Sequence, residues 1–294
     1  MNFIPAQSII SGYAENDFWF GNNYNMNIYK GCCHGCIYCD SRSECYKVDN
    51  FDEVRAKENA LIIIERELMS KRKKGVIGTG AMSDPYNPFE KKYCLTKGAL
   101  EIINRAGFGV SISTKSSLIT RDIDILKEIS SHSPVLINIT ITTANDELCK
   151  KIEPNVSVSS ERFDAIKKLA DNGIFTGVLL MPILPFINDT IENIGNIIDS
   201  AKASGAGFIY PAFGVTLRQN QREWYYKKLD ESFPSLKEKY IKYFGNSYEC
   251  SSFNSSKLWE FFKNKCDKAG IIYKMKDIIH TYKEKYQTVQ ISLF

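Results

Sequence analysis

The chain predicts an α/β fold built around a parallel sheet, on two observations. Six short β-rich runs, at 26–29, 76–80, 108–114, 135–142, 175–183 and 208–213, are apolar enough for strands buried on both faces. Amphipathic runs with helical spacing alternate with them, at 54–74, 95–106, 121–130, 159–173 and 189–205. Such alternation implies parallel pairing and right-handed crossovers. Closed, the array is part of a (β/α) barrel with its chemistry at the C-terminal strand ends. Open, it is a doubly wound sheet, and periodicity alone does not separate the two.

The elements justify themselves in order. The first helical run, 54–74, is reached only after a cysteine-rich loop, and 95–106 repeats apolar residues at helical spacing. Thr120 is placed to N-cap 121–130. The run 159–173 opens on Ser159 and closes on Gly173, as an N-cap and C′ pair would, and 189–205 repeats that pattern. The longest apolar stretch, 177–187, is broken by two prolines and falls short of the roughly 20 residues a membrane span needs, so it reads as a buried strand. From 218 onward Lys, Tyr, Phe and Trp dominate a mostly helical pattern. The chain therefore divides into a sheet-bearing domain, 1–217, and a helical extension, 218–294. The extension's aromatics and lysines suit single-strand stacking, or equally an aromatic core face with a solvated Lys face. Tyr225, Tyr226 and Trp259 fit either reading.

Of the 294 residues 44% are hydrophobic, enough for one large core. A charge of +4, from 38 Lys and Arg against 34 Asp and Glu, allows a phosphate-bearing partner without arguing for one. The first 19 residues carry no basic start followed by an apolar run, so a cytoplasmic protein is expected, with no membrane association. Nine cysteines, an odd number, argue against a disulfide framework.

Five of the nine, Cys32, Cys33, Cys36, Cys39 and Cys45, fall within residues 32–45. Cys32, Cys36 and Cys39 have C-x3-C-x2-C spacing directly after the first strand. Three thiolates in a tight loop suit three corners of a [4Fe–4S] cluster and leave the fourth iron free. Zinc is the competing metal, with Cys33, His34 or Cys45 to complete a tetrahedral site.

This spacing, with Tyr38 just before the last cysteine, resembles the radical S-adenosylmethionine (SAM) superfamily. The resemblance covers residues 26 to about 215 and implies a partial (β/α)6 barrel with a helical C-terminal extension. It also implies its chemistry: the unique iron binds SAM, one electron splits the sulfonium, and a 5′-deoxyadenosyl radical abstracts hydrogen from a substrate. An electron donor such as flavodoxin or ferredoxin follows from that chemistry. The second strand ends in GTGAMSDPYNP (78–88), where the superfamily meets the methionyl amino group, commonly through Gly-Gly-Glu. That motif is missing here, and Ser83 and Asp84 offer the ammonium acceptor.

With STKSSLI at 113–119, this variant is similar to the spore photoproduct lyase branch. The branch implies that Lys115 contacts the SAM carboxylate. Glu153, in the stretch 150–183, is placed either on the ribose hydroxyls of SAM or against a neighbouring Lys. Departures accompany the match. Ala81 stands where those lyases carry the Cys that returns hydrogen, and Asp40 where a Tyr follows the last cluster Cys. The expected function is thus a radical SAM reaction on nucleic acid, most directly DNA lesion repair of the photoproduct lyase type. RNA, a peptide or a metabolite are the alternatives. A reading of another class is a non-catalytic, zinc-stabilised accessory protein that binds the sliding clamp.

The last five residues, Gln290, Ile291, Ser292, Leu293 and Phe294, resemble the pentapeptide by which bacterial proteins dock on the replicative sliding clamp. Leu293 and Phe294 would fill an apolar pocket while Gln290 hydrogen-bonds a polar one. The alternative is that Ile291, Leu293 and Phe294 fold back onto the core. A peptide of the last ten residues should bind purified clamp, and deleting Leu293 and Phe294 should abolish binding with the melting temperature unchanged. A large loss of thermal stability would instead place them in the core.

Overall fold

The computed structural model describes residues 1–13 and 19–286, so the five tail residues lie outside the described residues. Six parallel strands form the body, in sequence order across the sheet: β1 (Tyr24–Met26), β2 (Val76–Thr79), β3 (Gly109–Thr114), β4 (Val135–Thr140), β5 (Thr176–Leu180) and β6 (Phe208–Pro211). Ile10–Gly12 adds antiparallel outside β1. The sheet of described residues thus ends at β6 on one side and at Ile10–Gly12 on the other. This is the partial barrel that the resemblance implied, open at one side.

Helices α1 (Ala60–Ser70), α2 (Leu95–Arg105), α3 (Ile123–His132), α4 (Asp146–Ile152), α5 (Ser159–Asp171) and α6 (Ile191–Ala203) alternate with the strands. Ile137 and Ile139 of β4 pack outward with Ile103, Leu126 and Ile166. Strand alternation turns Leu136 inward, where it meets Val76, Leu179 and Phe208. Every residue of β4 is buried as a result, which is why the strand runs read as nearly continuous apolar segments.

Several local expectations are corrected. After Met26 the chain leaves the main sheet, and Tyr29–Lys30 pairs with Arg55–Lys57 in a small sheet with Asn2–Ile4. That pairing takes the first residues of the expected 54–74 helix. Asn59 then sits at φ +52°, a left-handed conformation no helix interior accepts, so α1 starts only at Ala60. Thr120 does not cap α3, because Ser117–Asp122 forms a 3-10 turn in which the Ser116 side chain accepts from the Leu118 N–H. Ser159 is the first helical residue of α5, with Val158 at the cap position. Gly173 and Gly205, at φ +73° and +76°, end α5 and α6 as expected.

The extension holds α7 (Gln221–Ser232), α8 (Leu236–Phe244), α9 (Ser255–Ala269) and α10 (Met275–Lys283). It also contains strand structure, because β7 (Gly214–Thr216) pairs antiparallel with β8 (Glu249–Ser251) across the 217/218 boundary. Helix α9 sends Leu258, Phe262 and Cys266 into the main core. Tyr225 and Tyr240 are buried and share a hydroxyl hydrogen bond of 2.9 Å, so these aromatics serve packing. Helix α10 closes the lower end of the barrel. Its Ile278 and Tyr282 pack with Phe20, Val76 and Phe208, and the Tyr282 hydroxyl donates to the Phe20 carbonyl at 2.5 Å. Val76 and Phe208 begin β2 and β6, so the plug sits at the N-terminal strand ends and leaves the C-terminal ends for function. No helix among the described residues is long and apolar enough to cross a membrane.

Because Ile278 is fully buried in this plug, Ile278→Ala should cost about 2–5 kcal/mol in urea denaturation. A loss below about 1 kcal/mol would mean that α10 does not close the barrel floor.

Candidate active site

The cysteine loop leaves the small sheet at Gly31, where φ is +81° and an added Cβ would stand 2.5 Å from the Glu53 carbonyl. Beyond it the backbone is held by distant segments. The Cys32 N–H donates to the Phe51 carbonyl at 2.8 Å and the Ile37 N–H to the Ile152 carbonyl at 3.0 Å. Two residues of α7 reach over from the extension. Trp224 Nε1 donates to the Cys36 carbonyl at 3.2 Å, and Gln221 Nε2 to the Tyr38 carbonyl at 3.0 Å. The Arg42 guanidinium stacks on the Trp224 ring at 3.6 Å, locking loop and helix together.

So held, Cys32, Cys36 and Cys39 line one cavity of about 410 Å³. Its other walls are the C-terminal strand ends: Gly80 to Met82 after β2, Ser113 to Lys115 at β3, Thr140 at β4 and Leu179, Met181 and Pro182 at β5. Gly80 is required there, since a Cβ at its φ of +96° would lie 1.9 Å from the Ser113 carbonyl. Burial raises all three thiols, Cys32 to about 12, with Asp84 adding to the effect at Cys32. Thiolates there need a cationic partner, and three soft sulfurs on one wall fit three corners of a [4Fe–4S] cluster. Among the described residues no three His, Cys, Asp or Glu side chains converge tightly enough for a single metal ion, whereas a cluster separates its ligands by its own width. Cys33 and Cys45 are not on the cavity wall, and Cys45 Sγ accepts from Arg218 at 3.1 Å.

Asp84, Lys115 and Tyr38 line the same cavity as the thiols. Asp84 ties two strand ends together: its carboxylate accepts from Thr114 Oγ1 at 2.6 Å and from the Lys115 N–H at 2.8 Å. His34 Nδ1 lies 3.6 Å from it, and burial keeps that imidazole below its usual range despite the carboxylate. Water exclusion lowers Lys115, but the surrounding Cys36, Glu153 and Asp84 outweigh it and hold the ammonium charged. Ser83 instead lines a smaller adjoining cavity. Glu153 sits behind the wall, accepting from the Tyr38 hydroxyl and paired with Arg162 at 2.6 Å. Burial alone would raise its pKa, yet Arg162 and Lys115 hold it below the ordinary carboxylate range.

Arg162 escaped the reading of the sequence as a site residue. It is fully buried, and besides Glu153 it donates to the carbonyls of Thr140 and Ser157 at 2.8 and 2.7 Å. Its signal was present: it lies on the apolar stripe of α5 with Phe163, Ile166 and Leu169. Arg162→Met should cost about 3–5 kcal/mol by chemical denaturation, because it strands a buried carboxylate. Adding Glu153→Gln should recover much of that loss; a single-variant cost under about 1 kcal/mol would show the pair to be incidental.

A family model described as the radical SAM superfamily matches residues 26–199. An uncharacterized protein of Methanocaldococcus jannaschii is 36% identical over 179 residues, which cover 60% of this chain and 66% of that protein. An uncharacterized protein of Mycobacterium tuberculosis is 28% identical over 224 residues, covering 74% and 66%. The chain thus spans just under two thirds of the length of these curated relatives. Among solved structures, spore photoproduct lyase complexed with dinucleoside spore photoproduct superposes with a TM-score of 0.63 at 14% identity, over 86% of this chain and 76% of that one. The non-catalytic zinc reading falls with the family match. With more than half of the chain matched by the family model, and its three loop thiols on one wall, the chain belongs to the radical SAM superfamily as an enzyme of [4Fe–4S] cluster and S-adenosylmethionine.

Proposed function

We propose that this enzyme abstracts a hydrogen atom from a nucleic acid, DNA foremost, in a lesion-reversing reaction of the photoproduct lyase type. The bound cofactors supply the hydrogen-abstracting radical, while the protein binds, orients and excludes water. The observation that carries the reading is the reach of the likeness to spore photoproduct lyase. It takes in 86% of this chain, well past residues 26–199, and so spans extension as well as barrel.

In this reading Cys32, Cys36 and Cys39 hold the cluster, and Asp84 and Lys115 face the amino-acid end of SAM. Tyr38 lines the cavity and Glu153 acts from behind it: Glu153 fixes the Tyr38 phenol and adds negative charge beside Lys115. Ser83 serves through its backbone neighbours, since its side chain faces the adjoining cavity. Hydrogen return differs from that of the spore enzyme. Ala81 and Asp40, at the two relay positions, both line the cavity, as does Tyr46, whose phenol donates to Asp40 at 2.9 Å. The sliding clamp, through the tail, and a flavodoxin or ferredoxin electron donor complete the partners.

The test is 5′-deoxyadenosine release by anaerobically reconstituted, dithionite-reduced protein supplied with SAM. Release should rise several-fold with UV-irradiated DNA over undamaged DNA, RNA or no nucleic acid, and should vanish in Cys36→Ala. Stimulation by RNA alone would move the substrate to RNA, and equal slow release in every tube would overturn the nucleic-acid reading.

A further inference from the structure

We infer that the small cavity beside the SAM cavity is a subsite for a single nucleotide held out of its stack. The inference rests on the nucleic-acid reading above and deepens it. The cavity measures about 190 Å³ and is bounded by Asn27, Lys30, Tyr46, Phe51, Lys57 and Met82, among others. Tyr46 and Met82 belong to the walls of both cavities, so a ligand in the small one borders the site where the radical is made.

Three features select a nucleotide. The first is charge: two lysines converge here, and Lys57 Nζ donates to the Ser8 carbonyl at a long 3.3 Å. Burial holds Lys57 below the usual lysine range, and the Lys30 charge pushes the same way against the raising effect of Glu67. A phosphate between the two ammonium groups relieves that repulsion. The second is an orphan acceptor: Asn27 Oδ1 is buried with no hydrogen-bond partner among the described residues. Such an atom is costly unless a donor reaches it, and a nucleobase N–H or amino group is such a donor. The third is the pair of aromatic walls, Phe51 and Tyr46, on which a base stacks. At about 190 Å³ the cavity has room for one base and none for a base pair. The nucleotide must therefore come from a single strand or be flipped from a duplex.

Calorimetric titration of the full chain with thymidine 5′-monophosphate, thymidine and deoxyribose 5-phosphate tests this. The wild type should bind the nucleotide most tightly. Lys30→Ala with Lys57→Ala should weaken the nucleotide by about tenfold or more and leave thymidine unchanged. Asn27→Leu should weaken nucleotide and thymidine alike and leave the sugar phosphate unchanged. Melting temperatures accompany each variant, and the lysine pair carries the test if Asn27→Leu does not fold. No nucleotide binding by the wild type, or undiminished binding by the lysine variant, overturns the subsite. If irradiated DNA stimulates wild type and lysine variant equally, the subsite falls and the nucleic-acid reading stands. Nucleotide binding through these residues with no nucleic acid stimulating deoxyadenosine release keeps the subsite and overturns that reading.

Discussion

Glu153 is withdrawn from water between the Arg162 guanidinium and the Lys115 ammonium, and the cysteine loop is seated on it through the Tyr38 hydroxyl. A buried ion pair adds little net stability, because desolvation cancels most of the attraction, but removing one partner leaves an uncompensated charge. Its value here is positional. Arg162 also binds the last carbonyl of β4 and the Ser157 carbonyl, so one guanidinium sets the spacing of helix α5, strand β4 and the segment that leads back to the loop. The three thiols inherit that spacing.

The loop needs such help because it has almost no regular structure of its own. Only two short 3-10 turns, Asp40–Arg42 and Glu44–Tyr46, lie between Gly31 and Lys47. Its peptide groups are buried nonetheless, and buried peptide groups must find partners. They find them in the 51–53 turn, at Ile152 and Asn155, and on α7 of the extension. The extension is therefore part of the active-site scaffold, joined to the barrel by hydrogen bonds as well as by apolar packing.

Much of this was legible from residue order. All six barrel strands were found within a few residues, since strands buried on both faces leave unbroken apolar runs. The three cluster cysteines, Asp84, Lys115 and Tyr38, singled out by spacing and resemblance, line one cavity. What escaped has a common cause. The Arg55–Lys57 strand is made by pairing with Tyr29–Lys30 and Asn2–Ile4, which no local pattern announces. Trp224 and Gln221 act on residues 188 and 183 positions away. Glu153 could be placed near the site from its neighbours in the chain, but its partner Arg162 is set by the turn that joins α4 to α5. Thr120 failed as a cap because Ser116, four residues earlier, had already started a tighter turn.

The floor of the barrel carries a consequence for assembly. Tyr282 hydrogen-bonds a carbonyl 262 residues upstream, so the interior closes from below only once the chain as far as Tyr282 is in place. During synthesis the cysteine loop and all six barrel strands emerge while the lower mouth still lacks its stopper. Ordering a loop of that span costs entropy before any contact repays it, and contacts so remote in sequence slow the final collapse. The helix that closes the lower end of the barrel is thus made after every strand it covers.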